Sequence, residues 1–274
     1  EPPPAGLVYV DANSPLAAAP VSSKPGLPIA HVEAGLRSFD RTMPEEINRV
    51  LTDAITDLFL ITSPEAYGNL ANEGADIANI AFVGNTMIDS LELGLQRIAE
   101  HPVELTFEKP EEYALVTLHR PANVDDETRL RLILEGLAEV SAATPCLFPV
   151  HPRGRESIEK MGGSEIDGLV LLEPQGYLEF LTLQRDAALV ITDSGGVQEE
   201  TTVLGTPCLT VRPNTERPIT VTMGTNRLVE PSELAIAAKQ SMASGAPGEV
   251  PPLWDGKAGL RAADAIISWV GAGA

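Results

Sequence analysis

Cysteine is scarce in this sequence: Cys146 and Cys208 are the only two among 274 residues. Each opens an apolar run, Cys146-Leu147-Phe148 and Cys208-Leu209-Thr210, where cysteine behaves as a small buried hydrophobe. A disulfide framework and a cysteine metal site are therefore not expected, and neither is a metal or redox cofactor. Long hydrophobic runs are missing too. No stretch approaches the ~18 apolar residues that span a bilayer. The opening Glu1-Pro2-Pro3-Pro4 has neither the charge nor the apolar block of a signal peptide, so a reducing cytoplasm is the expected location. Basic residues are also few, with Lys+Arg 19 against Asp+Glu 39 and a formal net charge of −20. With no basic cluster to offset it, that balance repels phosphate backbones and anionic lipid surfaces, excluding nucleic acid and membrane as expected partners.

What is present is a core-forming composition: 43% hydrophobic residues and a mean hydropathy of +0.03. Apolar surface on that scale can offset the entropy of ordering the chain. At ~150 residues per domain, the length points to about two domains. Strand-length apolar runs recur: Leu7-Val8-Tyr9-Val10, Pro28 to Val32, Leu58 to Ile61 and Ile80 to Val83. The second half continues with Tyr113 to Leu118, Cys146 to Val150, Leu169 to Leu172, Ala188 to Ile191 and Cys208 to Val211. Runs that are apolar throughout read as strands covered on both faces, and helical segments between them imply parallel crossovers. The expected class is α/β, with two doubly wound Rossmann-like domains.

Helical periodicity supports this. Ile47, Val50, Leu51, Ala54 and Ile55 share a face after Pro44-Glu45-Glu46, a proline-and-acid helix start. Ile88, Leu91, Leu95 and Ile98 share another, and so do Leu260, Ala263, Ile266, Ile267 and Val270 near the end. The segment from His101 to Pro110 breaks the rhythm and reads as a linker. The expected division is residues 1–103, residues 104–250, and a terminal helix in 251–274 that braces the first domain.

In open parallel sheets, ligands bind beyond the carboxyl ends of strands. Asp11, Glu33, His119, His151 and Asp193 each directly follow an apolar run. Any one of them alone reads more readily as a cap or a solvated loop residue; their recurrence at one edge argues for a site. The segment Asp193-Ser194-Gly195-Gly196-Val197-Gln198-Glu199-Glu200 places two glycines between a buried strand and a helix. Such a turn lets backbone amides approach a phosphate. The bland alternative is a tight turn with Asp or Ser as N-cap. Downstream, Arg217 in Asn214-Thr215-Glu216-Arg217-Pro218 supplies a cation suited to a diphosphate. Asp11, Glu33 and Glu45 gather acids in the first half, with Arg37 four positions after Glu33. They form either a salt-bridge network or a proton-transfer set.

Taken in order, His31-Val32-Glu33-Ala34-Gly35-Leu36-Arg37-Ser38, Met43-Pro44-Glu45-Glu46-Ile47-Asn48-Arg49, Val83-Gly84-Asn85-Thr86-Met87-Ile88-Asp89, Thr117-Leu118-His119-Arg120, Pro149-Val150-His151-Pro152, Thr192 to Glu200 and Thr215-Glu216-Arg217-Pro218 resemble the non-hydrolysing UDP-N-acetylglucosamine 2-epimerases. The resemblance implies a GT-B fold, shared with nucleotide-sugar glycosyltransferases, with the ligand in the interdomain cleft, and a homodimer. It implies interconversion of UDP-N-acetylglucosamine and UDP-N-acetylmannosamine. Matched by motif, Asp11, Glu33, Glu45 and His119 fall on the family's catalytic positions, Gln175 and Phe180 on its uridine-contacting stretch, and Ser194, Gly195, Gly196, Glu200 and Arg217 on its diphosphate and ribose contacts.

The implied chemistry explains these residue types. The hydrogen on C2 of the sugar has no neighbouring carbonyl to acidify it. In the family's mechanism UDP is expelled from C1, leaving a 2-acetamidoglucal, and re-adds after a proton returns to the opposite face. Two acid–base groups on opposite sides of one carbon are then required, and which of the three carboxylates is acid or base stays open. The departing diphosphate is stabilised by charge and by amides. Several departures stand beside these matches. The family's opening strand and Gly-Thr-Arg-Pro type loop have no counterpart ahead of Leu7, so the first domain is expected to be incomplete, with exposed strand edges. Tyr9-Val10-Asp11 replaces a His-Gly-Asp, with Val10 expected to crowd Asp11. Pro15, Pro20 and Pro25 are expected to interrupt the next helix. The competing readings are a hydrolysing epimerase or other UDP-sugar enzyme, and an inactive nucleotide-sugar-binding fragment.

Overall fold

A computed structural model describes residues 5–9, 11–24, 26–245 and 247–272. Two compact units emerge: Glu1–Ser90 with Pro251–Ala274, and Leu91–Val250.

The first unit is built from β1 (Gly6–Tyr9), α1 (Asn13–Ser23), β2 (Ile29–Val32), α2 (Pro44–Asp53), β3 (Leu58–Ile61), α3 (Glu65–Asn72), β4 (Ile80–Phe82) and the start of α4 (Thr86–Glu100). Its strands are all parallel and lie in chain order, β1-β2-β3-β4. The register pairs Val8 with His31, His31 with Phe59 and Phe59 with Ile80, so these residues share a face. There Phe59, Ile61 and Ile80 pack with Ala66 and Leu70. At the β1 edge Leu7 is 61% exposed.

Two helices depart from what their sequences suggest. α1 is continuous through Pro15 and Pro20. A proline in the first turn removes an N–H that has no partner within the helix, so Pro15 costs the helix no bond; Pro20 forgoes a single one. Pro25, like Val10, lies outside the described residues. The second is α2, where the face shared by Ile47 and Leu51 points outward: Ile47 is 39% and Leu51 48% exposed, while Glu46, Asn48, Arg49, Thr52 and Asp53 are buried. Ile55, just past the helix, packs on Val8, Ala19 and Ile29.

The second unit takes up the rest of α4, then β5 (Ala114–Thr117), α5 (Pro121–Val124), α6 (Glu127–Ser141), β6 (Cys146–Pro149), α7 (Pro152–Lys160), β7 (Leu169–Leu172), α8 (Tyr177–Asp186), β8 (Leu189–Thr192), α9 (Gly195–Leu204), β9 (Cys208–Thr210), α10 (Ile219–Thr222), β10 (Asn226–Leu228) and α11 (Leu234–Ser244). The six strands are parallel in the order β10-β9-β8-β5-β6-β7. The first strand is central and the winding reverses beside it, the dinucleotide-fold order with a crevice between β5 and β8. One face packs Val116, Leu130, Ile133, Leu137, Phe148 and Leu209; the other packs Leu115, Leu147, Leu183, Val190 and Val197. The division between units falls inside α4, where Gly94 sits so close to α8 that a Cβ would lie 2.8 Å from Leu181. β10 was not foreseen: Asn226-Arg227-Leu228 is too polar to read as a strand, and it pairs with β9 alone.

α12 (Ala258–Gly271) belongs to the first unit. Asp89 accepts from the amides of Ala258 (3.0 Å) and Gly259 (2.7 Å), and Trp254 Nε1 donates to Thr62 O at 2.9 Å. The seam is made by Ala262, Ala265, Ile266 and Trp269 against Ala30, Val32, Leu58 and Leu60. The anticipated stripe is therefore rotated: Ile266 joins the seam, but Leu260 and Ile267 are exposed. Alanines bring the helix close to the sheet, and hydropathy alone cannot reveal that.

Candidate active site

In the first unit the candidate acids stand at strand ends and at the start of α2. Asp11 follows β1, and its turn is tied down from α2. Asn48 Nδ2 donates to Asp11 O at 2.8 Å, and Arg49 Nη1 pairs with the Asp11 carboxylate. Arg49 is 2% exposed and also holds Glu46 at 2.7 Å. Glu46 in turn accepts from Ser38 N (2.9 Å) and Phe39 N (2.8 Å). Burial pushes Glu46 up, but those amides and Arg49 outweigh it and hold the carboxyl below its usual range. Glu45, its neighbour, is half-buried in the first turn of α2.

Glu33 directly follows β2, is 5% exposed and has a φ of 69°. Arg37, whose spacing brought it near Glu33 in sequence, is instead committed to Asp53 at 2.7 Å and Glu73 at 2.6 Å. Burial lowers the Arg37 pKa, but the two carboxylates raise it further still. A concavity of about 730 Å³ lies in this unit between the outward stripe of α2 and α3, lined by Arg37, Phe39, Leu51 and Gly74. Asp11, Glu33 and Glu45 do not line it.

In the second unit the crevice between β5 and β8 is organised by Asp193, which is fully buried. Its carboxylate accepts from His119 N (3.1 Å), Arg120 N (3.0 Å) and Asn123 Nδ2 (3.0 Å), and lies 2.8 Å from His119 Nδ1. Burial raises the Asp193 pKa, yet His119, Asn123 and the Arg120 amide hold it below the ordinary value. The sequence marked Asp193 as a strand-end residue or an N-cap. It is no cap: Ser194 occupies that position and its side chain makes no capping bond either. The result is an oriented, partly exposed imidazole beside a glycine turn that opens a helix, the arrangement expected of an anion site.

Ser194, Gly195 and Gly196 are half-buried at that turn, and Arg217 is set against it. A Cβ on Gly195 would fall 2.8 Å from both Arg217 Nη1 and Glu216 Oε1, so glycine here makes room for the ion pair. Arg217 is shared between Glu216 (2.6 Å) and Glu199 (2.8 Å). Glu216 is buried, which raises its pKa; Arg217, Arg212 and Arg120 more than reverse this and keep it charged. Glu200 is buried as well, and burial pushes its pKa up against the bond from Tyr177 Oη at 3.1 Å.

Gln175 and Phe180 do not join that cluster. Gln175 Nε2 donates to Glu173 O at 2.7 Å, and Phe180 packs on the Leu147, Leu183 and Val190 core. Tyr177, between them, is the residue of that stretch that reaches Glu200. Asp193 is one of the strand-end residues that the sequence singles out, whereas Tyr177 and Glu216 are not singled out by it. Among the described residues no group of three His, Cys, Asp or Glu side chains is arranged to hold a metal ion. No helix among the described residues is long and apolar enough to cross a membrane.

A UDP-N-acetylglucosamine 2-epimerase from Methanocaldococcus jannaschii is 43% identical over 269 residues, 93% of this chain and 73% of its own length. The UDP-2,3-diacetamido-2,3-dideoxy-D-glucuronate 2-epimerase of Pseudomonas aeruginosa is 46% identical over 227 residues, covering 81% of this chain. The match spans 62% of that relative's length. The crystal structure of the M. jannaschii enzyme in complex with UDP-GlcNAc and UDP superposes with a TM-score of 0.85 at 40% identity, over 97% of this chain and 76% of that one. The family model described as UDP-N-acetylglucosamine 2-epimerase matches residues 1–267, so the chain belongs to the UDP-N-acetylglucosamine 2-epimerase family.

Proposed function

We propose that this chain interconverts UDP-N-acetylglucosamine and UDP-N-acetylmannosamine by expelling UDP from C1 and re-adding it after proton transfer at C2. The observation that carries this reading is Glu33, a nearly buried carboxylate held in a left-handed backbone conformation at the end of a parallel strand. Stored backbone strain is characteristic of functional positions. Two of Asp11, Glu33 and Glu45 exchange the C2 proton on opposite faces. The Ser194–Gly196 turn, His119 and Arg217 stabilise the diphosphate as it departs. Because Arg217 is already shared by Glu199 and Glu216, the diphosphate competes for a positioned guanidinium instead of recruiting a mobile one. Glu200 and Tyr177 serve the ribose, and Gln175 and Phe180 the uracil. We further propose a cytoplasmic homodimer.

A second substrate has support from the comparisons. The Pseudomonas relative, whose name gives a diacetamido uronate, is 46% identical over its 227 matched residues, against 43% over 269 for the M. jannaschii enzyme. Both reactions invert C2, so the carboxylates serve either one, and the difference lies at C3 and C6. Incubation in heavy water with each UDP-sugar tests the proposal by following deuterium at C2 together with free UDP. The expected result is label at C2 with UDP retained in the nucleotide sugar at equilibrium. Free N-acetylmannosamine would instead indicate the hydrolysing reaction. UDP binding by calorimetry with no label from either sugar would reduce the chain to a binder.

A further inference from the structure

The turn that carries Glu33 is under strain. A φ of 69° costs a non-glycine residue ~1 kcal/mol or more, and such a conformation persists only where its surroundings over-determine it. Part of the restraint is backbone: Glu33 N and Ala34 N both donate to Leu60 O, at 3.1 and 3.3 Å. The rest converges on one carboxylate. Asp53, in the last turn of α2, has Oδ1 2.6 Å from His31 Nδ1, and its Oδ2 accepts from Gly35 N at 3.0 Å and Arg37 Nη2 at 2.7 Å. A single buried group thus grips the chain two residues before Glu33 and again two and four residues after it.

We propose that Asp53 is a positioning residue for Glu33. It fixes the left-handed turn and so presents the Glu33 carboxylate at the strand end. The inference rests on the reading above, in which Glu33 exchanges the C2 proton. Asp53 touches no substrate: both of its oxygens are engaged by His31, Gly35 and Arg37. A purely structural ion pair would need only Arg37, which Glu73 already anchors through two bonds, of 2.8 and 2.6 Å. What sets Asp53 apart is its pair of contacts to His31 and Gly35, which flank the strained residue.

The test uses the full chain, UDP-N-acetylglucosamine in heavy water, UDP calorimetry and thermal melts. Asp53→Asn leaves one acceptor oxygen where two are used. Its kcat for C2 exchange should fall about 10- to 100-fold, while KM and UDP affinity stay within about two-fold. His31→Asn puts an amide N–H close to the Nδ1 position and should retain kcat within about three-fold, whereas His31→Ala should lose about 10-fold. An Asp53→Asn protein that melts earlier but turns over at the wild-type rate below its Tm overturns the proposal. So does equal activity of the two His31 variants, which also decide the matter if Asp53→Asn fails to fold. Glu33→Gln separates the two levels. If it still exchanges, or if the wild-type chain gives no label, the underlying reading falls and takes the positioning role with it. If Glu33→Gln is inactive while Asp53→Asn and His31→Ala keep wild-type kcat, only the positioning role is lost.

Discussion

The two units solve the same architectural problem with different materials. In the second, the central sheet is buried between two apolar layers, and charged side chains gather at the carboxyl ends of its strands. In the first, a polar stripe runs through the interior: Glu46, Arg49 and Asp53 point inward from α2 and bind the loops that follow β1 and β2. The contrast teaches that burial and hydrophobicity can come apart over a whole helix. An unpaired charge in the interior would cost several kcal/mol, so such a stripe survives only if every member has a partner. Those partners are the candidate acid Asp11 and the turn around the candidate acid Glu33.

Both tryptophans, Trp254 and Trp269, belong to the first unit, so tryptophan fluorescence reports that unit while circular dichroism reports both. The sharpest way to break the comparison is Arg49→Met. The shape is nearly kept, but Glu46 is left buried without its cation. The expected loss is about 3–5 kcal/mol, read from the urea midpoint of the fluorescence transition. A loss under about 1 kcal/mol would mean that the stripe contributes little and that the first unit is held like the second.

Acid should come next in effect. Glu46 and Asp53 in the first unit have folded pKa values below their unfolded ones, and so do Asp186, Asp193 and Glu216 in the second. For depressed carboxyls the stabilisation is complete above the unfolded value, near pH ~4, and disappears as pH falls through the folded value. Stability should therefore decline on acidification below about pH 4, by about 1.4 kcal/mol for every tenfold difference in proton affinity between the unfolded and folded carboxyl. The fluorescence transition and circular dichroism should both respond, because such groups lie in both units. A urea midpoint that stays flat from neutral pH down to about pH 3 contradicts this assignment.

Legibility in the sequence follows the same divide. The strands of both units stand out because covering both faces of a parallel sheet demands continuous apolar runs, as in Leu58 to Ile61 and Ala188 to Ile191. Gly195 and Arg217 could be placed from strand-end logic alone. β10 could not, since an edge strand needs no apolar run. The orientation of α2 is illegible for a different reason. Periodicity identifies which residues share a face but not which face is inside, and Arg49 and Asp53 become interior residues only once partners far away in sequence are in place. Tyr177 is equally silent, because nothing local ties it to Glu200, 23 positions later.

The smallest predicted effect is the most diagnostic. In an ordinary amphipathic helix, truncating a central leucine costs about 2–5 kcal/mol, through lost transfer energy and the cavity left behind. Leu51 lies at the centre of the apolar stripe of α2, yet it is 48% exposed. Leu51→Ser should shift the fluorescence-detected midpoint by no more than about 0.5 kcal/mol, the range of surface substitutions. That near-zero value beside a large Arg49→Met loss would invert the usual ranking of leucine and arginine within one helix. A Leu51→Ser loss of about 2 kcal/mol or more would place the stripe in a buried environment and remove the distinction between the two units.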